Sequence, residues 1–403
     1  MKLRDIHIAL LIGILTVSVF AQTDDDPGRA INHEFELDVE LGYRYFYQDP
    51  SFTDQKSHYP SMALYPKYTA EWNDSYESLN FEGFYRWDID GERTHWDIRE
   101  LYYQKIKNNW EVSIGIKKIF WGVTESNHLV DIVNQTDAVE SFDGEKKLGQ
   151  PMIHYSLNTD FGVLDFFYLP YHRKRTFPGA QGRLRFPTVI TSDDINYESS
   201  KKEWHQDFAL RYSHSFNVID LGISHFYGTG REPIFEFDSD GNITAFYPII
   251  NQTSLDLQIT HHAFLWKMES IYRSNDFQDF FALTAGVEFT ISNIGNSGID
   301  LGILGEYLFD DRDQLSLNGL QNDIFLGSRI AFNDTHDTSI LLGGIFDNES
   351  SSKLFGLEAS RRFGSSLRAE LEARFLGNIN SKELILSHFK NDSFLRLSIT
   401  KYF

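Results

Sequence analysis

Residues 34–47 read EFELDVELGYRYFY. The odd positions are Phe35, Leu37, Val39, Leu41, Tyr43, Tyr45 and Tyr47; the even positions are Glu34, Glu36, Asp38, Glu40, Gly42, Arg44 and a single exception, Phe46. A period of two over this length is a strand with one apolar and one polar face. It is long for a soluble strand, which usually has about five or six residues. It suits a strand that crosses a bilayer at a tilt, which takes about 9–11 residues plus an aromatic end.

The pattern recurs along the chain. Leu79, Phe81, Tyr85 and Trp87 alternate with Asn80, Glu82, Arg86 and Asp88; Trp110, Val112, Ile114 and Ile116 alternate with Glu111, Ser113, Gly115 and Lys117. Near the C-terminus Leu367, Ala369, Leu371, Ala373 and Phe375 alternate with Arg368, Glu370, Glu372 and Arg374. About eighteen such segments can be counted, with sixteen as the alternative. The connections between them alternate in length. Short ones lie at 73–75, 107–109, 158–160, 213–217, 261–263, 292–298, 333–337 and 364–366. Those on the other side are mostly longer: 48–60, 88–95, 118–150, 172–203, 229–250, 309–322 and 377–393, with short ones near 274–278 and 347–353. Tight turns on one rim and long loops on the other are the pattern of outer-membrane barrels. The predicted fold is all-β: a transmembrane antiparallel up-and-down β-barrel with long extracellular loops and short periplasmic turns.

Composition agrees with this fold and excludes others. The chain has 403 residues, 41% of them apolar, which is too many for disorder. It has no Cys, so disulfide scaffolds and thiolate metal sites are excluded. A net charge of -21 argues against nucleic acid as a partner. The 34 Phe, 20 Tyr and 7 Trp fit aromatic girdles at two bilayer interfaces. A mean hydropathy of -0.36 is compatible with insertion, because only the outward face must be apolar.

Residues 1–21, MKLRDIHIALLIGILTVSVFA, read as a signal peptide: a basic n-region at Lys2 and Arg4, an apolar h-region, and small residues before Gln22. The expectation is a cleaved leader at 1–21 and one barrel domain at 22–403, located in a bacterial outer membrane. The final strand, FLRLSITKYF, carries Leu395, Leu397, Ile399 and Phe403 on one face, with Lys401 as a departure. A terminal aromatic on an alternating strand resembles the signal by which such barrels engage their insertion machinery.

A barrel of about sixteen to eighteen strands leaves an aqueous channel unless loops fold inward. Its inward positions here are charged, and a wet lumen avoids burying those charges dry. Pore-lining candidates on the wall are Glu36, Asp38, Glu40, Glu82, Arg86, Glu111, Lys117, Arg368, Arg374 and Arg396. The loops at 118–150 and 172–203 are long enough to fold inward. The second carries Arg173, Lys174, Arg175, Arg183 and Arg185 within a stretch, 166–192, that has no Asp or Glu. Three readings stand for it: a basic constriction facing an acidic wall, a surface loop binding lipopolysaccharide phosphates, or a solvated loop. Arg361, Arg362, Arg368, Arg374 and Arg396, interleaved with Glu358, Glu370 and Glu372, read as cross-strand salt bridges before they read as an anion ladder.

Several short motifs resemble a known family. They are Trp121-Gly122, Glu125, Asp131, Asn134 and Asp137, then Leu148-Gly149 and Pro151-Met152; Phe177-Pro178-Gly179 with Gly182-Arg183-Leu184-Arg185; Gly228-Thr229-Gly230-Arg231-Glu232-Pro233; and Leu265-Trp266-Lys267-Met268-Glu269. The chain thereby resembles large proteobacterial outer-membrane barrels of unknown function, distantly similar to alginate-export-type porins. The resemblance extends over most of the mature chain. It implies fold and location, and brings no substrate.

The expected function is a porin-like channel for passive diffusion of small polar or charged solutes. The alternative is a loop-plugged barrel that binds or docks within an envelope export system, and an outer-membrane hydrolase is a more distant reading. There is no G-x-S-x-G elbow, and no enzyme, cofactor or metal site is expected. The Asp131, Asn134 and Asp137 spacing does not match an EF-hand, and capping of loop backbone suits these residues better. Expected partners are outer-membrane lipid and lipopolysaccharide, the insertion machinery, small solutes and, in an oligomer, further copies of the chain.

Overall fold

The computed structural model describes residues 31–191, 194–237, 243–312, 316 and 319–403. The leader expected at 1–21 lies outside the described residues. In chain order the strands are β1 Asn32–Phe46, β2 His58–Trp72, β3 Glu77–Asp88, β4 His95–Lys107, β5 Trp110–Lys117, β6 Gln150–Thr159 and β7 Gly162–Leu169. There follow β8 Ile195–Tyr197, β9 Asp207–Phe216, β10 Ile219–Thr229, β11 Ile234–Phe237, β12 Ile243–Tyr247, β13 Ile249–His261 and β14 Phe264–Ser274. The last are β15 Asp279–Ile291, β16 Asp300–Asp310, β17 Asn322–Ala331, β18 Ser339–Asp347, β19 Lys353–Phe363, β20 Leu367–Gly377 and β21 Phe394–Tyr402.

Eighteen of these strands form one sheet. Each pairs antiparallel with its neighbour along the chain, and β21 pairs with β1, Leu397 opposite Tyr43 and Ile399 opposite Leu41. The ring is therefore closed and has no free edge. Its final bond joins the Phe403 amide to the Leu37 carbonyl at 3.0 Å. The strand number expected from the sequence is the one observed. The remaining strands, β8, β11 and β12, make a three-stranded sheet within the long loops.

Side-chain direction follows the alternation. Phe35, Leu41 and Tyr43 on β1 face outward and are exposed, Leu41 by 59%, while Asp38 and Glu40 face the lumen and are buried. Phe46, the one break in the pattern, turns inward and packs on Tyr59 and Phe394. On the short-turn rim Asn108, Asn217, His262, Asn333 and Gly364 hold positive φ, a region that Asn and Gly enter at low cost. Lys401, which breaks the apolar face of β21, reaches the Ser366 hydroxyl at 2.5 Å and lies over the Phe403 ring. Its stem covers apolar surface while its ammonium finds a polar partner near the rim.

One feature of register is not legible as alternation. Glu82 opposes Glu100 and Gly83 opposes Ile98, so Arg99 is an extra residue, a β-bulge on β4. A bulge re-aims a side chain. Here it turns Arg99 into the lumen, where it meets a loop.

The outward assignment has a direct test. Leu41→Arg or Leu397→Arg, near mid-strand on the outer face, is expected to destabilise the folded barrel by about 2–4 kcal/mol, read from denaturant-dependent folding into lipid vesicles. A negligible change at both positions would contradict it.

Candidate functional site

β5 has only eight residues, so the chain leaves the wall early at Lys118 and returns at Gln150. The intervening loop, 118–149, folds into the lumen. A buried loop must find acceptors for its own backbone N–H groups. Two wall carboxylates provide them. Glu269 on β14 is fully buried and accepts the amides of Val123 at 2.6 Å, Thr124 at 2.9 Å and Val130 at 3.1 Å. Glu306 on β16 accepts the amides of Glu125 at 2.8 Å and Ser126 at 2.9 Å. The Glu125 carboxylate then reaches Arg329 on β17 at 2.5 Å. Below this clamp Trp121, Val130, Ile132 and Val133 form a dry core with wall residues that include Phe167, Phe226 and Phe280.

The other half of the loop is held by the opposite wall. Arg99, the bulged residue, donates to Asp137 at 2.5 Å. The Arg86 Nε–H on β3 is shared between the two Glu140 carboxylate oxygens at 2.8 and 2.9 Å, and its Nη1 reaches Glu40 on β1 at 3.1 Å. Arg374 on β20 reaches Asp143 at 2.7 Å. The loop thus spans the lumen, tied on one side to β14, β16 and β17, on the other to β3 and β4, and between them to β20. Within it, Asp131 caps the amides of Trp121 at 2.7 Å and Gly122 at 3.1 Å, and the Asn134 side chain accepts from Ile119 and donates to the carbonyls of Lys117 and Leu148. The acidic and amide residues of this motif shape the loop. Gly149 is required where it rejoins the wall: a Cβ there would lie 2.1 Å from the Arg99 carbonyl oxygen.

Electrostatics reinforce the tie. Burial alone would raise the Glu140 carboxyl, but the Arg86 and Arg93 guanidiniums hold it down at about 2. Burial would lower His128, yet the Glu145 and Glu269 carboxylates beside it raise it to about 10.

The basic residues of the next loop, 170–206, are spent mostly on structure. Arg173 bonds to Asp97 at 2.8 Å and to the Gly149 carbonyl at 3.0 Å; Lys174 pairs with Glu203 at 2.8 Å. Arg183 is buried between Asp392, at 2.6 Å, and the Phe46 ring, 4.7 Å away. Arg185 donates to the carbonyls of Phe186 and Pro187 and lies over the Phe52 ring. Arg175 alone of the five makes no ion pair or side-chain hydrogen bond among the described residues. The wall candidates also pair. Asp38 meets Lys67 at 2.7 Å, with Glu36 at 3.9 Å from the same ammonium; Glu82 meets Lys118 at 3.2 Å and Glu111 meets Lys117 at 3.6 Å. Arg396 bridges Glu40 and Glu372, Arg374 reaches Glu358, and Arg368 reaches Glu370 at 3.1 Å. At the C-terminal end the salt-bridge reading describes the contacts.

The loops leave a cavity of about 690 Å³ between loop 118–149, the long-loop rim and the wall of β17–β20. That is the size of a site for one small molecule. Arg175, Arg231, Lys147, Phe177, Phe235 and Gly343 are among its lining. Sequence reading did not single out Lys147, nor the clamp role of Glu269 and Glu306. Glu269 lay within a quoted motif, and Glu306 within the alternation of β16; what they bind is set by the fold.

No family model matches the chain, and no curated protein matches it. Solved structures do. The chain is similar to Wzi of Escherichia coli, described as an outer membrane protein involved in group 1 capsule assembly and a carbohydrate-binding β-barrel: 11% identity over 92% of this chain and 84% of that one, TM-score 0.54. Two barrels are less similar in shape: OmpT of Vibrio cholerae, an outer membrane protein (10% identity, 93% and 100% covered, TM-score 0.45), and OprB of Pseudomonas putida (10%, 92% and 94%, 0.46). The likeness to Wzi is one of fold. The chain has the architecture of a large outer-membrane β-barrel.

Glu140 makes loop docking sensitive to pH. Its carboxyl is lowered on folding, from 4.5 to about 2, so its contribution is full above pH 4.5 and is lost as pH falls toward 2. A shift of that size corresponds to about 3 kcal/mol. Pepsin cleavage within 118–149 is expected to rise as pH falls between these values, and Glu140→Gln is expected to be cleaved already at the upper one. Equal resistance of both proteins throughout would contradict the coupling.

Proposed function

We propose that this chain is an outer-membrane barrel that binds a small solute inside a lumen closed by its own loop, and that it is not an open diffusion pore. The observation that carries the reading is loop 118–149, which is clamped at both ends to opposite walls and has its own dry core. An open pore needs a continuous wet lumen. A loop whose backbone is satisfied by Glu269 and Glu306 and whose Arg86–Glu140 bond is buried has no reason to leave. The cavity beside it supplies a volume suited to one solute. Exposed aromatic residues on the outer face, such as Trp87, Trp96 and Tyr307, support placement in an outer membrane.

Passive passage is the second reading, and one observation favours it. The cavity lies against β18 and β19, where Gly343 and Gly356 carry no side chain into the lumen and leave room along the wall. In that reading the solute moves between the loop and this wall.

Planar-bilayer conductance separates the two. The unaltered barrel is expected to give small or no steps. Glu269→Ala with Glu306→Ala removes the acceptors of the loop amides and is expected to open large ohmic steps, with barrel folding checked by heat-modifiable migration on gels. Large steady steps from the unaltered barrel, equal to those of the double variant, would overturn the closed-lumen reading and leave the channel.

A further inference from the structure

The cavity has a polar end that the loop clamp does not use. Lys147, near the end of loop 118–149, and Arg175, on loop 170–206, both line it. Neither forms an ion pair among the described residues. Lys147 donates one long bond, 3.4 Å, to the Thr136 hydroxyl; at Arg175 it is the backbone amide that is fixed, donating to the Tyr247 hydroxyl at 3.1 Å. The guanidinium is thus positioned by its main chain and free at its tip.

Most carboxylates nearby are committed elsewhere. Asp143 belongs to Arg374, Glu145 to His128 at 3.1 Å, and Glu232 is shared by Arg273 and Arg312 at 2.8 Å each. Asp131 accepts the Trp121 and Gly122 amides. In a chain with 58 acidic against 37 basic residues, two half-buried cations that face one cavity and form no ion pair among the described residues stand out. A buried charge without a partner is costly. A guanidinium fork beside a point-charge ammonium matches the oxygens of an anion.

Another part of the cavity lining is apolar. Phe142, Phe177, Phe186, Phe235 and Phe389 line it and touch one another edge to face, Phe186 on Phe235 at 4.8 Å and Phe142 on Phe389 at 5.8 Å. Glu145, Asp143 and Glu358 also border the space, so a second negative charge on a ligand would be repelled.

We propose that Lys147 and Arg175 form the anion-binding end of this cavity and hold the carboxylate of a small organic acid whose apolar body lies on the phenylalanine flank. The inference rests on the binding-barrel reading and names its solute class. The two cations also act on each other: burial lowers the Lys147 ammonium, the Asp131 charge only partly offsets it, and Arg175 lowers it further. Burial lowers Arg175 as well. A bound carboxylate relieves both.

The test is a ¹⁹F NMR titration of the refolded full barrel with 4-fluorobenzoate, its uncharged analogue 4-fluorobenzamide, and inorganic phosphate as competitor. The unaltered protein is expected to bind the benzoate saturably and the benzamide about tenfold more weakly or worse. Arg175→Gln and Lys147→Gln are each expected to weaken the benzoate about tenfold or more and to leave the benzamide unchanged. Arg175→Lys, which keeps the charge without the fork, is expected to lose less, and serves if the Gln variant does not fold. Benzoate binding unchanged in both variants would overturn the proposal, as would phosphate displacing benzoate at equal concentration. Benzoate and benzamide bound alike would remove the anion site and leave the binding barrel standing. Binding of neither would remove both.

Discussion

A peptide backbone cannot enter the inside of a barrel unless its N–H groups find acceptors there. That constraint organises this molecule. The wall satisfies its own backbone, strand to strand, through a ring closed by β1 and β21. Loop 118–149 does so only in part, at a short bridge between Thr136 and Lys147. Glu269 and Glu306 take its amides instead, five between them. The carboxylates are buried by that contact and become acceptable there because charged acceptors make strong bonds to several donors at once.

The remaining lumen charges follow from the same logic. Once a loop displaces water, wall charges call for partners, and most have them: Arg86 with Glu140 and Glu40, Arg99 with Asp137, Arg396 with Glu40 and Glu372. These pairs fix register and loop position more than they add stability, since desolvation offsets much of their attraction. Lys147 and Arg175 lie outside these pairs and line the cavity.

The barrel was legible because its signal is local. Alternation in EFELDVELGYRYFY depends only on neighbours two apart, and loop lengths depend only on where alternation stops, so strand number and loop pattern were readable. The bulge at Arg99 was not, since it depends on how β3 and β4 register across Glu82 and Gly83. The clamp was illegible for a stronger reason: Thr124 meets Glu269, and Ser126 meets Glu306, across more than a hundred residues of chain. A run of basic residues at 173–185 drew attention, yet most of those side chains pair with Asp97, Glu203 and Asp392, none adjacent in sequence. Asp131 and Asn134, by contrast, cap backbone a short distance away, and that role was visible from residue type alone.

The central claim is that loop 118–149 is part of the barrel's interior and is held there by two wall carboxylates. Amide hydrogen exchange of the barrel in lipid nanodiscs tests it at single residues. The amides of Val123, Thr124, Glu125, Ser126 and Val130 are expected to exchange as slowly as strand amides of β14 and β16. Exchange of these five at the rate of an exposed loop, with the strands protected, would contradict it.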